Sequence, residues 1–528
     1  MLPAHASFPL QWILLLGPRT GPATLSEVPP PSTPAAAPAR AQALVREGLK
    51  LLEADELVPA QAKLEEALTL DPARPEAHYG LGFIHERKGE LEAARVSYEA
   101  ALSGAPRMAE AHDRRGFVLG QLGRTEEAIA EFRSAVALKP DLFDAQYHLG
   151  ATLWWTKNPE ARLPLEKAVR LRPGHGEARY YLALVLKQGG DLAAAVEQLR
   201  RVVKTSPRLV PAHRELGLAL QEQGDLPGAV AELRKALELA PSSAEAANSL
   251  GLALMHEGEA DQAVATLRAL VERHPDDLVG RHNLGSALLQ KADLDGAIAV
   301  YRDLARRAPE SAEALYNLGM ALKQKDDFPA AEAELRKAMA LDPKLPEAPY
   351  TLAVVLWQTG RPAEVIALLQ RVIELKPDYA EAHYLLGTVL KQQGDAEGAL
   401  REFRETIKHQ PGSAEAHLSL GQLLQQRKDS AGAAAAFAEA DRLRRKKADA
   451  QAATLAVGVG LQRLKGHDAV GAIDRFREAV RLDPENAQAH FQLALALLAR
   501  GAREEARTHF QQAHRLAPYL QAPESSPP

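Results

Sequence analysis

The 528 residues contain no cysteine. That excludes disulfides, thiolate catalysis and cysteine-ligated metal sites, and it fits either redox compartment. Aromatic residues are scarce, at 5%, although hydrophobic residues reach 46%. A large core must therefore be built from Ala, Leu and Val, which suit close helix packing. Charge of one sign is also lacking: 64 Lys and Arg stand against 69 Asp and Glu, for a formal net charge of −5. Such a balance gives no bulk attraction to nucleic acid or to an anionic membrane. No apolar run approaches the ~20 residues needed to span a bilayer. The one candidate targeting signal, FPLQWILLLG at Phe8–Gly17, is ten residues long and contains Gln11. It has the length of a signal-peptide core, and small residues follow at GPA (21–23), yet the leading MLPAHAS carries no Lys or Arg. Two readings stand, an exported protein with a cleaved leader and a cytoplasmic one, the second favoured by the missing positive flank. EVPPPSTPAAAPAR (27–40) reads as an extended Pro/Ala linker. Residues 1–40 are accordingly assigned to leader and linker.

What is present is a period. EAHYLLG at 381–387 is echoed by EAHYGLG (76–82), DAQYHLG (144–150), EARYYLA (177–183), EALYNLG (313–319) and EAPYTLA (347–353). The last residue of the motif falls at Gly48, Gly82, Gly116, Gly150, Ala183, Gly217, Gly251, Gly285, Gly319, Ala353, Gly387 and Gly421, in steps of 34 with one step of 33 after Gly150. An alanine follows twelve residues later in most units, as at Ala94, Ala128 and Ala297, and a large apolar residue four beyond that, as at Tyr98, Phe132 and Tyr301. A proline closes each of the first eleven units, from Pro72 to Pro411. A fixed period of this length is the signature of stacked repeats, each covering the apolar face of its neighbour.

The recurrence of several positions together resembles the tetratricopeptide repeat family, over roughly 41–518, about nine-tenths of the chain. The resemblance implies an all-α fold, a right-handed superhelical solenoid of antiparallel helix pairs, with fourteen units and no catalytic domain. The physics agrees: apolar residues recur at helical spacing twice per unit, separated by turn signals such as KGE (88–90) and QGD (223–225). The glycine sits inside the first helix at a propensity cost of about 0.8–1.0 kcal/mol, which makes sense if its missing side chain admits the second helix. Twelve mostly regular units occupy 41–447, two more follow a local break at 448–518, and 519–528 is expected to be a disordered tail. Three units depart from the pattern. The fourth, WWTKNPEARLPLEKA (154–168), loses a turn residue and carries Pro164 in its second helix. The twelfth lacks a closing proline, so DRLRRKKADAQAA (441–453) should extend as helix, and the glycine register of the thirteenth is uncertain by one residue.

The motif's histidines, His78, His112, His213, His383, His417 and His490, all fall at the fourth position of a unit. Catalysis gives no reason for six copies at one repeat position, and a metal site is equally ill served without cysteine or an HExxH motif. They read as packing elements of a scaffold. The resemblance further implies that positions 2, 5, 9, 12 and 13 look into a concave groove. That makes candidates of two aromatic clusters with cations beside them: Tyr79, Phe83, Phe117, Tyr147, Trp154, Tyr180 and Lys187; and Tyr316, Met320, Lys323, Tyr350, Trp357, Tyr384 and Lys391. Aromatics with few rotors are favoured anchors, although position-5 tyrosine is also the family's common packing residue. Position 2 is acidic in most units, which complements the helix dipole and would leave an acidic ridge. RLRRKK (442–447) reads as a solvated helix face.

Three functions are open to such an array: a binding scaffold, a repeat-bearing glycosyltransferase, and an adaptor that clamps a C-terminal carboxylate. The flanks leave no room for a catalytic domain, and position 6 is Asn only at Asn283 and Asn317. The clamp fails because Glu347 stands where a lysine is needed. The expectation is therefore a non-catalytic scaffold for peptide or protein partners, with no cofactor, no nucleic acid and no transmembrane span. An accessory subunit of a separate enzyme or envelope complex is the alternative.

Overall fold

The computed structural model describes residues 36–520 and 522. The apolar run Phe8–Gly17 and the linker up to residue 35 lie outside the described residues. Within them are twenty-seven α-helices, one 3-10 turn and no strand. Each unit is a helix of 12–18 residues, here the A helix, and a following B helix of 10–14 residues wherever the two ends are separate. The first A helix runs Ala36–Glu53, so helix begins inside the expected linker. Pro38 is compatible with that because it falls in the first turn, where its missing N–H loses no intrahelical bond.

The small–large pair sets the spacing of A against B. A Cβ placed on Gly82 would lie 2.7 Å from the Tyr98 ring, one on Gly285 2.5 Å from Tyr301, and one on Gly387 2.9 Å from Phe403. In each case the opposing residue is sixteen positions on and fully or almost fully buried. The same test fixes the thirteenth unit: Gly460 faces Phe476, whereas Gly458 meets nothing within 4 Å. The loss of one residue in the fourth unit appears as Gly150 facing Leu165, fifteen positions on. Its B side starts as a 3-10 turn, Pro159–Ala161, and continues as Arg162–Leu171. Pro164, expected inside the helix, therefore sits in its first turn and breaks nothing.

Two compact units divide the chain at Ala219/Leu220. In the first, one core cluster runs from Phe117 to Ala195 and is rich in Phe and Tyr. In the second, a cluster dominated by Leu, Ala and Val runs from Val230 to Val389. Near residue 447, where a break between units is expected, the helix is continuous. The B helix of the twelfth unit and the A helix of the thirteenth fuse into Ser430–Lys465, 36 residues long. Between buried Ala440 and Ala453 this helix is exposed on nearly every side. At the C-terminus the expected disorder begins too early: Leu520 is 8% exposed and packs with Ala513 and Ala517.

Candidate partner-binding face

The fourth position of the unit does more than pack. Its side chain reaches back six residues to the carbonyl of the closing proline. His78 Nε2 lies 2.9 Å from Pro72 O, His112 Nε2 3.1 Å from Pro106 O, and His383 Nε2 3.1 Å from Pro377 O. His213, His417 and His490 do the same to Pro207, Pro411 and Pro484. Where the residue is Gln146, Arg179 or Arg281, its nitrogen donates to Pro140, Pro173 or Pro275. The carbonyl thus bridged lies in the turn between units, so each bond is a strut across a joint.

In His112 and His383 the second ring nitrogen faces a carboxylate on the B helix, Glu131 or Glu402, at 2.6 Å. Both partners can only accept, so the ring needs a proton on each nitrogen. The hydrogen bond to the carboxylate accordingly holds both imidazoles above their ordinary pKa. Ring nitrogens committed in this way have no free base for catalysis. Among the described residues, no group of three or more His, Asp or Glu is placed to hold a metal.

The predicted groove residues divide by burial. Tyr79 is 1% exposed, Phe83 2%, Tyr147 4% and Phe117 5%. What covers them is a buried polar cluster on the A helices of the second to fourth units. Glu86 accepts from Tyr98 Oη at 2.8 Å and from Arg114 at 3.2 Å, and the guanidinium lies 5.6 Å above the Phe83 ring. His148 Nδ1 lies 2.8 Å from Asp113, with its ring 5.3 Å from Phe117 and 5.5 Å from Phe132. Burial opposes charging His148, but the adjacent Asp113 carboxylate raises its pKa on balance. These four aromatics are core residues, unavailable as anchors while the cluster is intact.

The rest of the predicted set is half-buried. Trp154 packs 5.4 Å from Tyr181, and Tyr180 5.6 Å from the same ring. Lys187 lies 3.5 Å from Glu215. In the second compact unit, Tyr316 Oη donates to Met320 Sδ at 3.5 Å, Tyr350 lies 5.1 Å from Tyr379, and Tyr384 lies 5.8 Å from Phe403. Trp357 and Lys323 are half-buried on the same A-helix face, and Lys391 donates to Gln422 at 2.6 Å. Two members escaped the sequence reading. Trp155, 37% exposed, sits 6.1 Å from Trp154 at the next position. Tyr379 precedes the A helix Ala380–Gln392, in a turn where periodicity gives no signal. The acidic ridge is partly neutralised: Glu110 pairs with Lys139 at 2.9 Å and Asp144 with Arg172 at 3.5 Å, while Glu313 remains 73% exposed. The basic run behaves as a solvated face, with Arg442 on Glu439 and Lys446 3.4 Å from Glu485.

Family models for the tetratricopeptide repeat match this chain at residues 45–109, 156–209, 214–277, 282–346, 384–453 and 463–520, with further matches at 322–388 and 121–154. The chain belongs to the tetratricopeptide repeat family. None of the curated proteins matches it significantly. Solved structures do. Yeast Tom70 is 17% identical, with 74% of this chain and 97% of that one covered at a TM-score of 0.40. MamA is 30% identical over 31% of this chain and 96% of its own, at 0.30. PilF of Pseudomonas aeruginosa is 22% identical over 40% and 97%, at 0.37. As a tetratricopeptide repeat protein the chain consists of helix pairs throughout the described residues, and none of these helices is long and apolar enough to cross a membrane.

Proposed function

We propose that this protein is a non-catalytic scaffold that holds segments of partner proteins against its A helices. The observation that carries this reading is the division by burial. Position-5 tyrosines are core residues in the second and fourth units, Tyr79 and Tyr147, but Tyr180, Tyr316, Tyr350 and Tyr384 at the same position keep accessible ring surface, as do Trp154, Trp155 and Trp357, with Lys187, Lys323 and Lys391 on the same A-helix faces. Partly exposed Trp and Tyr with cations on the same face are the composition of a binding hot spot for peptide segments with acidic character. Membership of a repeat family whose arrays bind other proteins supports the same conclusion.

The test is the Trp154→Ala/Trp357→Ala double variant of the full chain, compared with the wild type in capturing proteins from the source organism's lysate. Hot-spot truncation costs about 2 kcal/mol or more per residue, or roughly 30-fold in affinity. A protein retained by the wild type and lost by the variant, at unchanged helicity, is the expected result. Equal capture of the same proteins by both forms would remove these rings from the site.

A further inference from the structure

Eight of the turns that join an A helix to its B helix hold a glycine at positive φ. At seven of them, from Gly89 to Gly501, an added Cβ would meet nothing within 4 Å. Gly224, in the turn of the sixth unit, is the exception. A Cβ there would lie 3.3 Å from Cε1 and 3.8 Å from Oη of Tyr519, a residue 295 positions further along the chain. Both residues belong to the second compact unit, which starts at Leu220.

The sequence sets the same tyrosine apart. Tyr519 follows Pro518, which closes the fourteenth unit. In the twelve other units that a proline closes, the next residue is small or charged, as at Gly174, Asp276 and Lys344. The residue after it is ordinary, since Leu142, Leu209 and Leu345 hold the place of Leu520. Leu520 is buried against Ala513 and Ala517, and its N–H donates to Ala517 O at 2.9 Å. It seats this last turn on its own unit, while the half-buried ring of Tyr519 stands against another. Burial foremost pushes the Tyr519 hydroxyl above its ordinary pKa, and the Asp225 carboxylate adds to that. The same carboxylate caps helix Leu226–Leu239, accepting from Gly228 N at 3.0 Å.

Stacked repeats ordinarily touch only their neighbours, so a change at one end of an array leaves the other end unaltered. A ring of the fourteenth unit against the turn of the sixth departs from that rule. We propose that Tyr519 is an intramolecular clasp, which docks on the turn Gly224–Asp225 and ties the two ends of the second compact unit together. Glycine at Gly224 serves the turn through its positive φ and serves the clasp through its missing side chain. Tyr316, Tyr350, Trp357 and Tyr384 lie between the tied ends in the chain, so the clasp limits how far the A helices that carry them can spread. The clasp itself does not depend on what those helices bind.

The test compares the full chain with its Tyr519→Ala, Tyr519→Phe, Gly224→Asn and Gly258→Asn variants. Asparagine tolerates the left-handed conformation. At Gly224 it places a side chain against the ring, and at Gly258, where nothing stands near, it controls for the backbone. Because the chain has no cysteine, Ala231→Cys and Gln511→Cys carry spin labels at two exposed positions alone, on helices Leu226–Leu239 and Arg503–Leu516. Their separation is read by double electron–electron resonance. Amide exchange is followed at Asp225, whose N–H donates to Leu220 O at 2.9 Å, and along helix Arg503–Leu516.

Tyr519→Ala and Gly224→Asn are expected to lengthen the separation and widen its distribution, and Tyr519→Phe to preserve both. Tyr519→Ala should also quicken exchange at Asp225 several-fold, eight units away, with helix Arg503–Leu516 unchanged. Gly258→Asn should leave the separation as in the wild type. The proposal is overturned if Tyr519→Ala leaves the separation or the exchange at Asp225 unaltered, or if Gly258→Asn changes the separation as much as Gly224→Asn. Should Tyr519→Ala fray helix Arg503–Leu516, Gly224→Asn decides, because it leaves the fourteenth unit intact. An unaltered separation in that variant overturns the proposal.

Discussion

The two compact units of this protein use the same repeat with different chemistry at its joints. In the first, neighbouring A helices are joined by buried charge: Arg114 to Glu86, with side chains 6% and 3% exposed, and His148 to Asp113, at 9% and 4%. In the second, the comparable contact is a neutral amide pair, Asn283 donating to Asn248 at 2.9 Å, and Asn248 in turn donates to the Asp277 carboxylate at 3.1 Å. Helix starts also vary, though not by compact unit, since His175 and Asp191 cap helices of the first. The A and B helices of the second and third units have no side-chain cap. In the second compact unit Ser243, Asp277, Asp293, Ser311 and Asp327 each cap the helix that follows, at typically ~1 kcal/mol apiece. The repeat thus prescribes where helices meet and leaves open how the polar groups at the meeting are satisfied. A buried pair is demanding, because each partner is costly once the other is gone, whereas capped helices and amide contacts fail one at a time.

The sharpest way to break this comparison is to remove one partner from each unit. Glu86→Ala removes a buried carboxylate from the Arg114 guanidinium and deprives Tyr98 of its acceptor. Burial works against that cation, and its pKa is raised on balance by the groups beside it, Glu86 foremost. Loss of one partner of a buried pair costs about 3–5 kcal/mol. Asn248→Ala removes one amide–amide hydrogen bond and one to the Asp277 carboxylate at a half-buried position, and should cost about 2 kcal/mol. Amide hydrogen exchange, read separately on helices Pro75–Arg87 and Leu278–Gln290, gives both values in one experiment. A Glu86 variant no less stable than the Asn248 variant would show that the buried charges contribute little to joining the units.

At the glycine of the repeat the two units should instead behave alike. Gly116 faces Phe132 and Gly319 faces Leu335, and an added Cβ would come within 2.8 Å of either side chain. Valine at these positions should overpack both contacts by about 1–3 kcal/mol, offset only in part by what helix propensity returns. The expected outcome is a similar fall in urea midpoint for Gly116→Val and Gly319→Val. A large fall at one site alone would mean that the ring of Phe132 and the branched Leu335 do not fill equivalent holes.

These contrasts also mark what a single sequence discloses. The alternation of small and large residues is legible because it repeats in register, and it gave helix pairs, unit boundaries and the extension through residues 441–453 where a closing proline is absent. The strut was half legible. His112 and its counterparts stand out by position, but a side-chain bond to a carbonyl six residues back leaves no trace in an apolar period. Groove aromatics were the least legible. Tyr79 and Tyr350 hold the same repeat position, yet the first is sealed by Glu86, Arg114 and Tyr98, and the second keeps exposed surface next to Tyr379. That difference is set largely by residues on neighbouring helices, Tyr98, Arg114 and Tyr379, some 19–35 positions away, whose joint effect appears only when the helices are packed.

The smallest expected effect concerns the strut itself, which has opposite acid–base character at His112 and at His490. His112 donates to Pro106 O and faces Glu131, with Arg115 also near that carboxylate. The bond to Glu131 raises its pKa above the ordinary value of about 6.5. Its contribution to stability is fully present below that value and is lost as pH rises through the folded pKa. His490 donates to Pro484 O and faces His509 Nδ1 at 2.9 Å, with Arg515 and Asp483 nearby. One proton per ring satisfies that arrangement, and burial foremost lowers the pKa of both imidazoles. That strut is intact above the ordinary value and weakens as pH falls through it. Half-buried pairs of this sort contribute only about 0.2–1 kcal/mol, so the clearest readout is the titration of the individual ring protons by NMR. His112 should titrate above 6.5 and His490 below it, and Glu131→Gln should bring His112 down while leaving His490 unmoved. Exchange at helix Ala109–Gln121 should quicken toward alkaline pH beyond the intrinsic rate, and at Ala487–Ala499 toward acid. If both histidines titrate together, the partner on the B helix does not govern the strut, and the proline carbonyl alone holds each ring in place.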